Sequence, residues 1–483
     1  MTDTYEHLSG GAGRTRFFRS ERYNAREWLG RVRPVLLVDG EARQIHDLSM
    51  NGIAYYVPTL EGCAQAGEAV HIELRLGDGV VHAGQGEVIR AEATSRGGKV
   101  ALKLVSGFLD IPRVVALHDE LALEHEFRRE IAEDSELIPA NYRRICGDLV
   151  HFLRRYRTLT ERFETLVPSD ATDASARREE FFHQVLPAFR KRWETLRTEA
   201  NASIDAFHDD PDARSAAKRY TEATVTPEFM TGAYWKRCYE KPLGYPGDFG
   251  IMNFLYNDIA VGDSIYQKLI SQVGLEQPVA ASVPPRMRAL CEHIRDVVAS
   301  TEDRAARICS LGCGPAREVA VYLRETLPTN AVEFTLIDQD YEALSYAHSD
   351  IVRAAERWGG RARAECLFVS FAQFLKSYEL FDRIKDHDLI YSAGLFDYLR
   401  TTQAQQLAAA LYTGVKPGGR LVIGNMAGPS DGKWCIEYVL DWTLLYRTEE
   451  EMREIAALCP GAEVDVRPEE TGYTYLLTLT KPA

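Results

Sequence analysis

The pattern of apolar and polar positions divides the chain into three parts. In residues 14–113 the period is two. Val70, Ile72 and Leu74 alternate with His71 and Glu73, which gives a strand with one buried face. Similar stretches, PVLLVDGEARQIHDLS, GIAYYVP, HAGQGEVIRAEA and KVALKLVS, are separated by turn signals, with hairpins predicted at Asp39-Gly40 and Gly77-Asp78-Gly79. Five or six short strands without a helical period between them predict a small antiparallel β-barrel.

Residues 114–235 change to a helical period. Ile145, Leu149, Phe152, Tyr156, Leu159, Phe163 and Leu166 recur at alternating spacings of four and three. Phe182, Leu186, Phe189, Trp193, Leu196, Ala200, Ser203 and Phe207 repeat the seam across Pro187. These heptad-like stripes predict an α-helical linker bundle, packed on itself or paired with a second copy as a homodimer. Residues 236–483 alternate between apolar strands and helices. RICSLG, FTLID, CLFVSF, HDLIYS, GRLVIGN, AEVDVRP and TYLLTLT are the strand candidates. Seven strands closing on a hairpin predict a doubly wound, Rossmann-like α/β sheet with an antiparallel edge.

A length of 483 residues agrees with several domains, since one core rarely exceeds roughly 250–300 residues. No apolar run approaches the ~20 residues of a membrane span. The polar, Gly-rich beginning lacks a secretory h-region, and the nine cysteines include no Cys-x-x-Cys pair. A cytoplasmic protein with reduced thiols is the expectation. A net charge of −14 argues against a nucleic-acid partner. Against that background, seven arginines stand between Arg14 and Arg33 with two acids, Glu21 and Glu27. Such a cluster suits one discrete anion.

Arg22-Tyr-Asn-Ala-Arg26, an RxxxR, precedes Asp47-Leu-Ser49-Met-Asn-Gly52, a DxSxxG at a predicted strand–turn–strand junction. In this order, and followed by a barrel pattern, the two resemble the PilZ domain family. The resemblance covers residues 14–113 and implies cyclic di-GMP as a regulatory ligand. Its two phosphates and two guanines both suit arginine. Arg22 and Arg26 match the family's arginine motif, Asp47 and Ser49 match contacts to guanine and the turn, and Gly52 would supply a positive φ. Arg19 and Arg33 are secondary phosphate candidates.

Farther on, Ile308-Cys-Ser-Leu-Gly312-Cys-Gly314-Pro-Ala316-Arg-Glu318 follows a strand and opens a helix. A glycine turn there lets the backbone approach a ligand. Asp338, 24 residues beyond Gly314, ends the next strand, where an acid can accept both hydroxyls of a ribose. Together with LIDQDYEALSYA and KPGGRLVIGN, these residues resemble class I S-adenosylmethionine-dependent methyltransferases rather than dinucleotide dehydrogenases. Ser310 stands where an acid is common, and Ala316 where a third glycine is. The resemblance carries over Asp338 as the ribose ligand. Gly312, Cys313 and Gly314 would form the methionine–ribose edge, with Gln339 beside it. Ser370 and Phe371 would face adenine, and Ser392, Ala393 and Gly394 mark where methyl donor meets acceptor. Asp340 reads as a helix cap.

The segment YEKPLGYPGDFGIMNFLY, Tyr239–Tyr256, suits a lid that lays aromatic faces over a sulfonium. Tyr245 and Asp248 would be its contacts, and Arg286 would hold the cofactor carboxylate. With DWTLLYR, Asp441–Arg447, the stretch resembles a bacterial subfamily described as making 3-hydroxy fatty acid methyl esters. A carboxylate acceptor, with a pKa of about 4–5, needs no base at pH 7. Tyr446 and Arg447 are the candidates to hold it. The histidines show no metal-ligand spacing, and no metal is expected. The strand end that carries SAGLF lacks the Asn/Asp-Pro-Pro-aromatic motif of nucleic-acid methyltransferases. The expectation is a cyclic di-GMP-responsive methyltransferase of a small molecule. The alternative is a non-catalytic cyclic di-GMP receptor whose methyltransferase-like part binds a partner or senses cofactor.

Overall fold

The computed structural model describes residues 23–24 and 32–483, apart from 62, 78, 95–96, 106, 132–133, 169–172, 258–260, 302–303, 327–329, 370–383 and 429. Arg19, Arg22, Arg26, Ser370 and Phe371 therefore lie outside the described residues. The chain divides into two compact units, Met1–Asp134 and Ser135–Ala483.

In the first unit the strands are β1 (Tyr23–Asn24), β2 (Val35–Val38), β3 (Glu41–Ser49), β4 (Gly52–Val57), β5 (Ala69–Leu76), β6 (Gly79–Thr94) and β7 (Gly97–Leu104). The order β3-β2-β5-β6-β7-β4 returns to β3 through the β3–β4 ladder, so six antiparallel strands close into a barrel, with β1 paired along β3. The period-two positions form its core: Val70, Ile72 and Leu74 pack with Leu36, Val88 and Leu102. Asp39 and Gly40 both take positive φ, as a tight two-residue hairpin requires. Gly52 departs from expectation, since it is not among the positive-φ glycines. Close approach is the reason for glycine there. A Cβ would stand 2.6 Å from the Leu102 carbonyl oxygen on β7.

The second unit opens with two long helices, α1 (Ala140–Leu166) and α2 (Ala174–Ile204), whose stripes pack on each other within the chain. Phe152 meets Phe189 at 4.9 Å between ring centroids, and Phe163 stacks on Phe181 at 3.8 Å. Leu159 and Leu166, expected in this seam, are exposed, and Thr160 is buried instead. A 3.6-residue helix drifts about 20° per heptad from a 3.5-residue repeat, which carries the buried stripe one position along. The same core continues through Phe229 and Trp235 to Met426, Trp434 and Trp442.

The sheet of this unit contains β8 (Ala306–Leu311), β9 (Val332–Asp338), β10 (Ala362–Phe368), β11 (His387–Ser392), β12 (Val415–Met426), β13 (Glu463–Pro468) and β14 (Thr474–Thr480), in the order β10-β9-β8-β11-β12-β14-β13. β14 is antiparallel to both its neighbours and lies between β12 and β13, so the β13–β14 hairpin forms the antiparallel edge. β14 is largely buried along its length, whereas β13 is mostly exposed or half-buried. The more apolar strand of the hairpin takes the interior position. The strand order reverses at β8 and β11, and ligands of such sheets bind outside the carboxyl ends at this switch point. Among the described residues no helix is long and apolar enough to cross a membrane. The nine cysteines are all unpaired.

Candidate functional site

A pocket of about 510 Å³ opens at the carboxyl ends of β8, β9 and β11. After β8 the chain turns through Gly312 and Gly314, at φ of +63° and +50°, before a helix begins at Arg317. Helices α3 (Phe249–Asn257), α4 (Val283–Ala299) and α5 (Arg317–Glu325) contribute to the pocket wall, and α6 (Tyr341–Ala355) follows β9. Ala316 also has a left-handed backbone, with φ +45°. It keeps the conformation of the missing glycine at a cost of roughly 1–2 kcal/mol.

Asp338 ties β9 to this turn. Its Oδ2 accepts from the Gly314 N–H at 2.8 Å and its Oδ1 from the Asp340 N–H at 3.0 Å. Burial raises its carboxyl above the usual carboxylate range, and these N–H groups oppose the rise. Each oxygen retains a lone pair that a hydroxyl can use. Gln339 and Cys313 line the pocket beside it. Asp340 caps α6 by accepting from the Glu342 and Ala343 N–H groups. Its other oxygen accepts from the Tyr245 hydroxyl at 2.7 Å. The Tyr239–Tyr256 segment thus lies against the acid side of the pocket, and Tyr245 lines it.

Asp248 is used differently from the expectation. It is fully buried, receives Arg237 Nε at 2.8 Å and caps α3 through the Ile251 N–H at 3.0 Å. Both bonds fall on Oδ1; Oδ2 is buried without a partner among the described residues, and Asp248 does not line the pocket. Arg286, on α4, is buried and lines the pocket, and no hydrogen bond or ion pair among the described residues claims its guanidinium. Near it lies an acid to which the sequence reading gave no role. Glu318, in the first turn of α5, lines the pocket and accepts from the Tyr391 hydroxyl at 2.7 Å. Burial raises its carboxyl, with Arg286 opposing. Ser310 lacks a carboxylate, and Glu318 supplies one from the far side of the glycine turn.

Ser392 is buried with an unpartnered hydroxyl and does not line the pocket, whereas Ala393 and Gly394 do. The chain then forms a 3-10 turn, Phe396–Tyr398, which brings Asp397 and Tyr398 to the pocket wall. Both were missed in the sequence. In the segment Asp441–Arg447, Trp442 and Leu444 line the pocket, and Tyr446 and Arg447 do not. Arg447 is buried and donates to the carbonyls of Phe396, at 2.9 Å, and Leu399, and to Asn425 Oδ1. It is committed to the turn, so it is not available to a substrate carboxylate.

In the barrel, Asp47 and Ser49 are buried on β3. The Asp47 carboxylate meets His46 Nδ1 at 2.6 Å and Lys99 Nζ at 3.5 Å. Ser49 Oγ donates to the Gly52 carbonyl at 3.2 Å, which closes the β3–β4 turn. Arg33 is exposed.

No protein-family model and no curated protein matches the sequence. Solved structures do match. A possible exported protein from Bordetella parapertussis is 16% identical, with a TM-score of 0.41, over 57% of this chain and 99% of its own. The magnesium protoporphyrin IX methyltransferase from Synechocystis PCC 6803, with bound S-adenosylhomocysteine, is 12% identical, with a TM-score of 0.32, over 41% of this chain and 85% of its own. The 1,6-didemethyltoxoflavin-N1-methyltransferase from Burkholderia thailandensis is 18% identical, with a TM-score of 0.28, over 41% of this chain and 79% of its own.

Proposed function

We propose that the second unit is an S-adenosylmethionine-dependent methyltransferase of a small molecule and that the barrel is a cyclic di-GMP receptor. One observation carries the first half. A strand-end acid, a glycine turn, the cation Arg286 and the acid Glu318 converge on a single pocket. The acid suits ribose hydroxyls, the turn suits close backbone approach, and a cation with an anion suits the zwitterionic amino-acid end of the donor. Methyl transfer from a sulfonium is an in-line displacement, for which the protein supplies alignment and exclusion of water. Aromatic walls from Tyr245, Phe249, Tyr256 and Trp442 suit both tasks.

Titration calorimetry with S-adenosylmethionine and S-adenosylhomocysteine tests this reading. Micromolar binding of both is expected. No binding at millimolar ligand would favour a non-catalytic receptor. Tyr245→Phe removes the hydroxyl that reaches Asp340. A hydrogen bond to a charged group contributes about 1.5–3 kcal/mol, so affinity for S-adenosylhomocysteine should fall about tenfold or more with the fold unchanged.

The barrel half of the proposal rests on the RxxxR and DxSxxG motifs and on closure of the six strands. Arg22→Ala with Arg26→Ala should abolish cyclic di-GMP binding and leave S-adenosylhomocysteine binding within twofold. Normal cyclic di-GMP binding by this double variant would refute the assignment.

A further inference from the structure

Building on the methyltransferase reading, we propose that Asp397 is the catalytic base and that the methyl acceptor is a weakly acidic hydroxyl on an apolar body, not a carboxylate. Asp397 follows β11 at the strand end beside Gly394, and it lines the pocket. Its Oδ1 accepts from the Met426 N–H at 2.6 Å. Its Oδ2 has no hydrogen bond among the described residues and lies 3.7 Å from where a Gly394 Cβ would be. Arg286 Nη1 lies 3.6 Å from the same point, so glycine leaves the two groups facing across an open edge.

The carboxylate is held rigidly. Arg447 bonds the carbonyls on either side of its turn, and the Leu445 N–H donates to its own carbonyl at 2.8 Å. A base fixed in place by such surroundings is preorganised for proton transfer. Four groups face it: Arg286 from α4, Arg447 and Tyr446 from the C-terminal extended segment, and Tyr398 from its own turn. Burial pushes the Asp397 carboxyl up to about 7, with the two arginines and the Met426 N–H opposing. It is therefore partly ionised at neutral pH and basic enough to take a proton.

The walls of the acceptor side, Met252, Leu255, Ile436, Trp442 and Leu444, are apolar. An anionic acceptor would meet the Asp397 carboxylate there, in a site where like charges repel strongly. With Arg286 and Glu318 turned to the donor's amino-acid end, Asp397 Oδ2 is the carboxylate oxygen left for the acceptor, and it calls for an O–H. In the reaction the hydroxyl proton passes to Asp397 Oδ2 while the oxygen lone pair forms a bond to the methyl carbon. The carbon–sulfur bond breaks with its electron pair on sulfur. The products are the methyl ether and S-adenosylhomocysteine, and Asp397 returns its proton to solvent.

The test uses the full chain and Asp397→Asn, which keeps an acceptor for the Met426 N–H. Calorimetry at pH 7 in buffers of different ionisation enthalpy counts protons released on binding. The donor's sulfonium beside Asp397 should drive out about half a proton more than S-adenosylhomocysteine does, and the difference should vanish in Asp397→Asn. Equal release by the two ligands in the wild type, or a difference that survives the substitution, would overturn the base. Extract of cells that express the protein is then incubated with methyl-labelled S-adenosylmethionine and the product treated with alkali. Label that resists alkali, with transfer at least 100-fold slower in Asp397→Asn, is expected. Label released as methanol would identify an ester and overturn the acceptor class. Failure of both ligands to bind, with no label transferred, would instead overturn the methyltransferase reading beneath it.

Discussion

Asp338→Ala is expected to weaken S-adenosylhomocysteine binding at least 100-fold, measured by titration calorimetry. Two losses combine. The ribose loses a carboxylate acceptor for both hydroxyls, and hydrogen bonds to a charged group are worth about 1.5–3 kcal/mol each. The Gly314 and Asp340 N–H groups also lose their acceptor. The glycine turn is then no longer fixed to β9. Together these come to roughly 3–6 kcal/mol, and each 1.4 kcal/mol is tenfold in affinity. Asn is a poor rescue, because its amide group would set donors against one of two backbone donors. Because burial holds the Asp338 carboxyl above its ordinary range, wild-type affinity should fall on acidification earlier than an ordinary aspartate would predict. Retention of affinity within fivefold in Asp338→Ala, with an unchanged thermal transition, would remove Asp338 from the site.

What the sequence made legible was local. Period-two alternation located the barrel strands because one face of each is buried, and the Asp39-Gly40 turn was readable because both residues tolerate positive φ. Gly312, Gly314 and Asp338 were readable because strand ends and glycine turns have fixed offsets along one βαβ unit. What escaped depends on partners distant in sequence. Asp248 in a Gly- and Pro-rich segment has the composition of a ligand, yet Arg237 from the preceding helix captures it. Glu318 lines the same pocket as Arg286, which a separate helix brings there. Asp397 is an ordinary acid in sequence, and its unusual chemistry comes from burial, which two arginines oppose. The alternation within Asp441–Arg447 was available as a signal. Trp442 and Leu444 share one side of an extended segment, and that side is the pocket's.

Arg447→Ala should lower the stability of the second unit by about 3–5 kcal/mol, a larger effect than any role in substrate binding would produce. The guanidinium is buried and serves three acceptors, the carbonyls of Phe396 and Leu399 and the Asn425 side chain. Removing it leaves the Leu399 carbonyl and Asn425 Oδ1 without this donor, at about 1–3 kcal/mol each before water enters the cavity, and leaves the Phe396 carbonyl with the Leu399 N–H alone. It also takes a positive charge from beside Asp397, whose ionised form then becomes costlier. A loss of this size corresponds to a fall of about 4–7 °C in the thermal transition of a unit this large. Arg447→Met separates the causes, since it restores most of the volume without donors; a fall equal to that of alanine would assign the effect to the hydrogen bonds. Arg447→Lys keeps the charge but not the fork and should fall between. Had Arg447 held an acceptor carboxylate, alanine would leave the thermal transition in place and weaken only acceptor binding. A transition within 2 °C of the wild type would therefore return Arg447 to the substrate. A lowered transition would make it the residue that sets the turn, and through the turn the position of Asp397.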